Sequence, residues 1–229
     1  MQRLQEWLNI RGFGVVVDSD FGPVTAQAVG RFQASVRLPT TGRLDDATFG
    51  ELVAPMVRTL RHPRRGRATL GAMIVAAGNR HLREHPIETG GQNCGPWVRL
   101  YMKGNDGATW AWCAGFVGFL LEQARQKLER PMPIAGSFSC DSLAAQAKDT
   151  GLFVGERDVM RGAIPAGSFF LVRRSATDRT HAGVVTRSGP DAFDTIEGNT
   201  NDDGSREGFE VCARTRGYKD KDFIVWNAA

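Results

Sequence analysis

TWAWCAGFVGFLL, residues 109–121, joins a tryptophan-rich loop to an apolar run that predicts a buried helix. Its one cysteine, Cys113, stands where that helix begins. The first N–H groups of a helix are unpaired and carry partial positive charge, which favours a thiolate over a thiol. The pattern therefore indicates a nucleophile, whereas an isolated cysteine in an apolar run is more often a buried core residue. Partners elsewhere in the sequence decide between the two.

Apolar stretches further along the chain predict strands, one of which begins with a histidine. Residues 169–172 and 181–186 are rich in β-branched and aromatic side chains, and a polar loop, residues 173–180, separates them. His181 is the first residue of the second predicted strand. Because histidine titrates near neutral pH, it can take a proton from a thiol and return it to a leaving amine.

A third apolar stretch, residues 193–201, supplies two polar residues for the histidine. Glu197 and Asn199 are two positions apart, so a strand would point both to the same face. Either side chain could accept the imidazole N–H and fix its tautomer. The sequence leaves open which of them orients His181.

The order and surroundings of these segments resemble the CHAP family of papain-like amidohydrolases. The resemblance covers most of residues 69–216 and rests on residues 93–98 with Tyr101, 112–117, 181–185 and 196–200. It implies an α+β fold in which the nucleophile helix packs on an antiparallel sheet, and it implies hydrolysis of amide bonds in peptidoglycan. By position, Cys113 is the nucleophile, His181 the general base and acid, and Glu197 and Asn199 the orienting pair.

The implied chemistry also needs donors for an oxyanion and contacts for a substrate. The backbone N–H of Cys113 is the natural first donor, because it lies at the helix start. Gln92 and Asn93 are candidates for the second donor. Together with Trp112 they are the predicted substrate-binding residues.

The first sixty residues predict a separate bundle of three short helices. Residues 3–9 are amphipathic at helical spacing, and Pro23 is typical of a helix start. Asp45 is a candidate N-cap for a third helix that is expected to end near Leu52.

This segment resembles the peptidoglycan-binding domain found on many cell-wall enzymes. The resemblance covers residues 2–53 and includes Leu4-Gln5, Leu8-Asn9, Asp18, Phe21-Gly22, Phe32-Gln33 and Thr41-Gly42. It implies peptidoglycan as a partner. The alternative is a three-helix bundle that binds no ligand.

Length and charge agree with two folded units and a basic linker. The expected division of the 229 residues is a bundle at 1–57, an Arg-rich linker at 58–68 and a catalytic domain at 69–229. The net charge is +4, and the linker alone holds five arginines, Arg58, Arg61, Arg64, Arg65 and Arg67. The cluster is either a solvated hinge or a site of attraction to an anionic polymer or membrane surface. Nucleic acid is not expected, because the cluster lacks interleaved aromatic residues.

No metal or other cofactor is expected. Residues 81–85, HLREH, match the pattern of one zinc protease class, but no third ligand accompanies them. Some CHAP members bind calcium through acids upstream of the nucleophile, and here Asp106 is the one acid between Gly95 and Cys113. If Cys113 stays a thiol, the other cysteines allow at most one disulfide.

No signal peptide is expected, because Glu6 and Asn9 interrupt any apolar region near Met1, and no apolar stretch of the sequence is long enough to span a membrane. We therefore expect a monomer made in the cytoplasm that acts at the cell wall after release or delivery. A phage endolysin is favoured over an interbacterial effector. Within that class an N-acetylmuramoyl-L-alanine amidase is favoured over a peptide endopeptidase. An inert wall-binding module and a cysteine enzyme for another amide remain alternatives.

Overall fold

The computed structural model describes residues 1–61, 69–201 and 208–226 and confirms the predicted α+β class. In this part of the chain the helices are α1 (Gln2–Ile10), α2 (Pro23–Ser35), α3 (Asp46–Leu60), α4 (Leu70–Glu84), α5 (Pro96–Tyr101), α6 (Cys113–Leu128) and α7 (Cys140–Asp149). The strands are β1 (Phe153–Val154), β2 (Phe169–Ser175), β3 (Asp178–Ser188), β4 (Ala192–Thr200), β5 (Glu210–Gly217) and β6 (Lys221–Ile224). They form one antiparallel sheet in the order β1-β6-β2-β3-β4-β5. None of these helices combines the length and the apolar character needed to cross a membrane.

Two buried glutamine side chains hold the turns of the N-terminal bundle, α1–α3. Gln5 on α1 donates to Asp18 Oδ1 at 2.6 Å and accepts from the backbone N–H of Ser19 at 2.8 Å. Gln33 on α2 accepts from the backbone N–H groups of residues 41–42, at 2.9 Å each. Each amide supplies partners that the backbone of a turn lacks, so both turns are fixed to the bundle core.

The predicted helix starts in the bundle are confirmed. Pro23 is the first residue of α2. Asp45 caps α3, because its side chain accepts from the N–H of Thr48 at 2.8 Å.

The predicted end of α3 near Leu52 is wrong, because the helix continues to Leu60. Pro55 lies inside it and has no N–H for the carbonyl of Glu51, one turn earlier. The guanidinium of Arg11 donates to that carbonyl instead. A side chain from α1 therefore satisfies the bond that proline removes.

This longer helix shifts the start of the predicted linker, residues 58–68. Arg58 belongs to the last turn of α3 and forms an ion pair with Glu84 on α4, with Nη2 and Oε2 2.7 Å apart. Residues 62–68, which include three arginines of the cluster, lie outside the described residues.

The bundle and the sheet-bearing part share one hydrophobic core. The ring of Trp7 on α1 meets that of Trp97 on α5 edge-on, with centroids 6.0 Å apart. Beside them, buried Glu6 forms an ion pair with Arg99 on α5. The predicted units at 1–57 and 69–229 are therefore joined by packed side chains.

Glycine allows β4 to lie directly against α6. A Cβ on Gly198 would stand 2.7 Å from Phe116 Cγ and 2.7 Å from Trp112 Cζ3. Real Cβ atoms do not approach so closely, so only glycine allows this separation. The close approach brings the polar residues of the sheet to the start of α6.

The predicted loop at residues 173–180 is mostly strand. β2 and β3 form a hairpin in which Val172 pairs with His181 and Arg173 with Arg179, so His181 lies inside β3. The arginines remain in the sheet because acids neutralise them. Arg179 pairs with Asp222 on β6, with Nη2 and Oδ2 2.9 Å apart.

Candidate active site

Cys113 is the first residue of α6, and its thiol lies between this helix and the sheet. The residue is 5% exposed. The imidazole of His181 and the backbone of Ala182, both on β3, lower the pKa of this thiol. The partial positive charge of the helix start adds to these interactions and favours a thiolate.

His181 lies between the thiol and a carboxylate. Its Nε2 is 2.8 Å from Glu197 Oε2 on β4, which leaves Nδ1 as the ring nitrogen for the thiol. Glu197 pairs with Gly183 across the two strands, and a Cβ at Gly183 would stand 2.8 Å from Glu197 Cγ. The missing side chain at residue 183 gives the carboxylate the space in which it reaches His181.

Two further residues hold Glu197, and the sequence reasoning missed both. Arg216 on β5 donates to both carboxylate oxygens, with Nε 2.8 Å from Oε1 and Nη2 2.5 Å from Oε2. The hydroxyl of Thr195 donates to Oε1 at 2.6 Å. The Arg216 contact depends on the pairing of β4 with β5, which no local sequence pattern predicts. Thr195 lies two residues before Glu197 on the same strand.

The charges of this cluster stabilise one another. Burial would raise the pKa of Glu197, but hydrogen bonds from Arg216 and His181, together with their charges, lower that pKa to about 2. Burial would lower the pKa of His181, but the hydrogen bond to Cys113 and the charges of Cys113 and Glu197 raise it to about 9. Cys113 and His181 are thus suited to exist as a thiolate and an imidazolium at neutral pH.

A second thiol, also missed from the sequence, lies beside Cys113. Cys140 is the first residue of α7, and its Sγ is 3.9 Å from Cys113 Sγ. The hydrogen bond from Cys140 is the largest cause that lowers the pKa of Cys113. Burial raises this pKa and His181 lowers it further, so the pKa of Cys113 lies well below its usual value. The pKa of Cys140 itself is raised well above the usual value by the same hydrogen bond and by burial.

Asn199 does not contact His181 in the way that the two-residue spacing predicts. Its Oδ1 accepts from the backbone N–H of Trp112 at 3.2 Å, directly before the nucleophile helix. The backbone at Asn199 has φ 56° and the pairing of β4 with β5 shifts there, so the strand alternation is broken. Of the two predicted orienting residues, the structure brings Glu197 to the imidazole.

Trp112 and Asn93 are not placed to touch a substrate with their side chains. Trp112 is fully buried, stacks on Tyr101 and donates from Nε1 to Glu88 Oε1 at 2.8 Å. Asn93 is 1% exposed, and its side chain donates to the carbonyl of Ala108 at 3.1 Å. Both residues help to build the loop around Glu88, and their predicted roles in substrate binding stay predictions. Gln92 is exposed and remains a candidate.

The N-terminal bundle matches a known protein family. Residues 1–52 match the family model described as "Putative peptidoglycan binding domain". The bundle is similar to this family of peptidoglycan-binding domains. The match supports peptidoglycan as the partner and a protein associated with the cell wall. Searches of the curated proteins and of the solved structures found no match. The CHAP resemblance and the catalytic roles stay predictions.

The peptidoglycan-binding domain is connected to the loop that precedes the candidate nucleophile. Glu6 of the domain pairs with Arg99, and Arg99 also pairs with Asp106 at 2.5 Å. Asp106 Oδ2 accepts from the backbone N–H of Gly95 at 3.2 Å. The N-terminal bundle and the loop at residues 93–95 are thus held in one set of polar contacts.

The histidines of the zinc-like pattern are used separately. His81 is fully buried, and its Nδ1 lies 2.8 Å from the hydroxyl of Tyr101. His85 lies 2.5 Å from Glu210 Oε2. Within the described ranges no group of three candidate ligands converges on a metal position.

Proposed function

We propose that this protein is a cell-wall lytic enzyme that hydrolyses amide bonds of peptidoglycan with Cys113 as its nucleophile. The observation that carries the proposal is the cluster of Cys113, His181 and Glu197 at the start of α6, in which His181 is hydrogen-bonded to Glu197 and lowers the pKa of Cys113. It occurs in a chain that also holds a peptidoglycan-binding domain. That domain favours a wall substrate over another amide.

In the first half of the reaction, the Cys113 thiolate attacks the amide carbonyl, and a C–S bond forms. The backbone N–H of Cys113 is the proposed first donor to the oxyanion, with exposed Gln92 as the candidate for the second. The imidazolium of His181 then gives its Nδ1 proton to the leaving nitrogen as the C–N bond breaks. Glu197 holds the ring in position and stabilises its positive charge.

In the second half, neutral His181 takes a proton from water, and the resulting hydroxide attacks the thioester. The C–S bond breaks, the carboxylic acid product leaves, and the thiolate and imidazolium return. No step requires a metal ion or an electron acceptor.

The bond favoured for cleavage joins the lactyl group of N-acetylmuramic acid to L-alanine. The alternative bonds lie within the stem peptide or its cross-link. Purified sacculi digested with the protein distinguish them by mass spectrometry of the soluble fragments. Intact stem peptides with a free L-alanine amine support the amidase, whereas new amino termini inside the stem identify an endopeptidase.

The deciding variant is Cys113→Ala, because it removes the nucleophile and leaves the bundle intact. We expect it to release no fragments while it still sediments with sacculi. The matched control is Cys94→Ser, which alters a thiol outside this cluster and is expected to digest sacculi as the wild type does. Equal fragment release by Cys113→Ala and the wild type would overturn the proposal.

A further inference from the structure

Cys140 is a buried thiol for which the proposed mechanism has no role. It is 7% exposed, and its Sγ lies 3.9 Å from the sulfur of Cys113. Both cysteines are the first residues of their helices, α6 and α7, so two helix starts meet at one pair of sulfurs. The two residues are thiols in this structure and do not form a disulfide.

The start of α7 is fixed to the strand that carries His181. Asp141 Oδ1 accepts from the backbone N–H of Arg179 on β3 at 2.7 Å, two residues before His181. Ser139 caps the helix by accepting from the N–H of Ser142 at 3.3 Å. Cys140 is therefore held in place relative to both the nucleophile and its proton acceptor.

A buried thiolate needs donors, and few groups face the sulfur of Cys113. The titratable groups around it are His181 on β3 and Cys140 on α7, with Glu197 behind the first and Asp141 near the second. Two adjacent buried thiolates would repel each other, so one sulfur keeps its proton. The hydrogen bond to Cys113 and burial both raise the pKa of Cys140, which favours Cys140 as the protonated partner.

We propose that Cys140 is a positioning residue: its S–H donates to Cys113 Sγ and holds the nucleophile as a thiolate beside His181. This role rests on the proposed function of Cys113, but the ionisation of the pair does not depend on any substrate. The proposal can therefore be tested without peptidoglycan.

The experiment measures the rate at which iodoacetamide alkylates Cys113 between pH 4 and 10, with the modified peptide quantified by mass spectrometry. The full chain is reduced beforehand, so that all thiols are available. Cys140→Ala removes the donor. At pH values below the midpoint of the wild-type profile, we expect alkylation of Cys113 to be about tenfold slower, as for a rise of about one unit in its pKa. Cys140→Ser restores a donor and is expected to follow the wild-type profile closely.

Two comparisons separate donation from packing. Cys94→Ser, the matched thiol variant, is expected to leave the profile of Cys113 unchanged. If Cys140→Ala does not fold, Cys140→Val replaces it as the variant without a donor. The proposal is overturned if Cys140→Ala or Cys140→Val gives the same pH profile of alkylation as the wild type. It is also overturned if Cys140→Ser shifts the profile as much as Cys140→Ala does. Failure to digest sacculi with a normal alkylation profile would count against the proposed function alone.

Discussion

At the scale of single residues, neighbours in the chain do not share one task. Glu197 and Asn199 are two positions apart, yet Glu197 reaches the imidazole and Asn199 holds the backbone of Trp112. The left-handed backbone at Asn199 separates them, since a regular strand would direct both side chains to one face. Their substitutions should therefore have different consequences.

Glu197→Gln keeps an acceptor for His181 but removes the negative charge. We expect hydrolysis of sacculi to fall on the order of 10²-fold, as for a damaged acid–base residue. The carboxylate helps to raise the pKa of His181 to about 9, and its loss lowers that pKa. Activity should rise with pH as Cys113 ionises and fall as His181 loses its proton. The alkaline fall should therefore move below pH 9 in this variant.

The comparison variant is Asn199→Ala, in which we expect the alkaline fall in activity to occur at the same pH as in the wild type. It is expected to cost about 1–3 kcal/mol of stability, because the buried N–H of Trp112 loses its acceptor. The measurements are pH–rate profiles and an NMR titration of His181. If the alkaline fall in activity moved in Asn199→Ala but not in Glu197→Gln, then Asn199 and not Glu197 would be the residue that orients His181.

At the scale of elements, local rules predicted where helices begin better than where they end. A helix start depends on residues close in sequence, such as Pro23, Asp45 and the loop before Cys113. The end of α3 depends on Arg11, which lies 40 residues away from the carbonyl that it satisfies. A local sequence pattern cannot predict a partner so far away in the chain.

The same reasoning explains which parts of the candidate site could be predicted. Cys113, His181 and Glu197 are recognisable because each stands in a distinctive segment. Arg216 and Cys140 are not, because strand register and the packing of α7 bring them to the site. The burial of Trp112 could not be predicted, because an aromatic residue beside a nucleophile has the same sequence signal in a core as in a cleft.

Gly198→Ala tests the close approach of β4 to α6. The added methyl must displace Phe116 or Trp112, and we expect a loss of about 1–3 kcal/mol from overpacking. Because β4 carries Glu197, sacculus hydrolysis should fall as well. The matched control is Gly118→Ala on α6, where a Cβ meets nothing within 4 Å and helix propensity should raise stability slightly.

Thermal unfolding and fragment release from sacculi check both variants. Equal stability and activity of the two alanine variants would show that β4 can move away from α6 without consequence.

At the scale of the whole molecule, the two units that the sequence suggests share a core. Trp7, Glu6 and Arg99 join them, and Gln123 on α6 adds a hydrogen bond to the carbonyl of Thr59 at 3.1 Å. The bundle and the rest of the chain are therefore joined by packed side chains as well as by residues 58–68.

Arg99→Met leaves Glu6 buried without its cation. We expect unfolding of the full chain in urea to remain one transition, with stability lower by about 2–4 kcal/mol because a buried charge loses its partner. The control is the double variant Glu6→Leu with Arg99→Met, which removes both charges and should recover much of the loss. Two separate transitions in the wild type would contradict a shared core.

The shared core has a consequence for how the protein would work on a wall. A cutting site on a loose tether could reach every bond within a radius of its anchor. Here the contacts between Trp7 and Trp97 set the distance and the angle between anchor and thiol. Under the proposed function, each attachment of the bundle to peptidoglycan would present a narrow set of bonds to Cys113, and the protein would have to detach before it could reach the next set. Turnover on an intact sacculus would then follow the dissociation rate of the bundle, so tighter binding to peptidoglycan would slow the proposed hydrolysis.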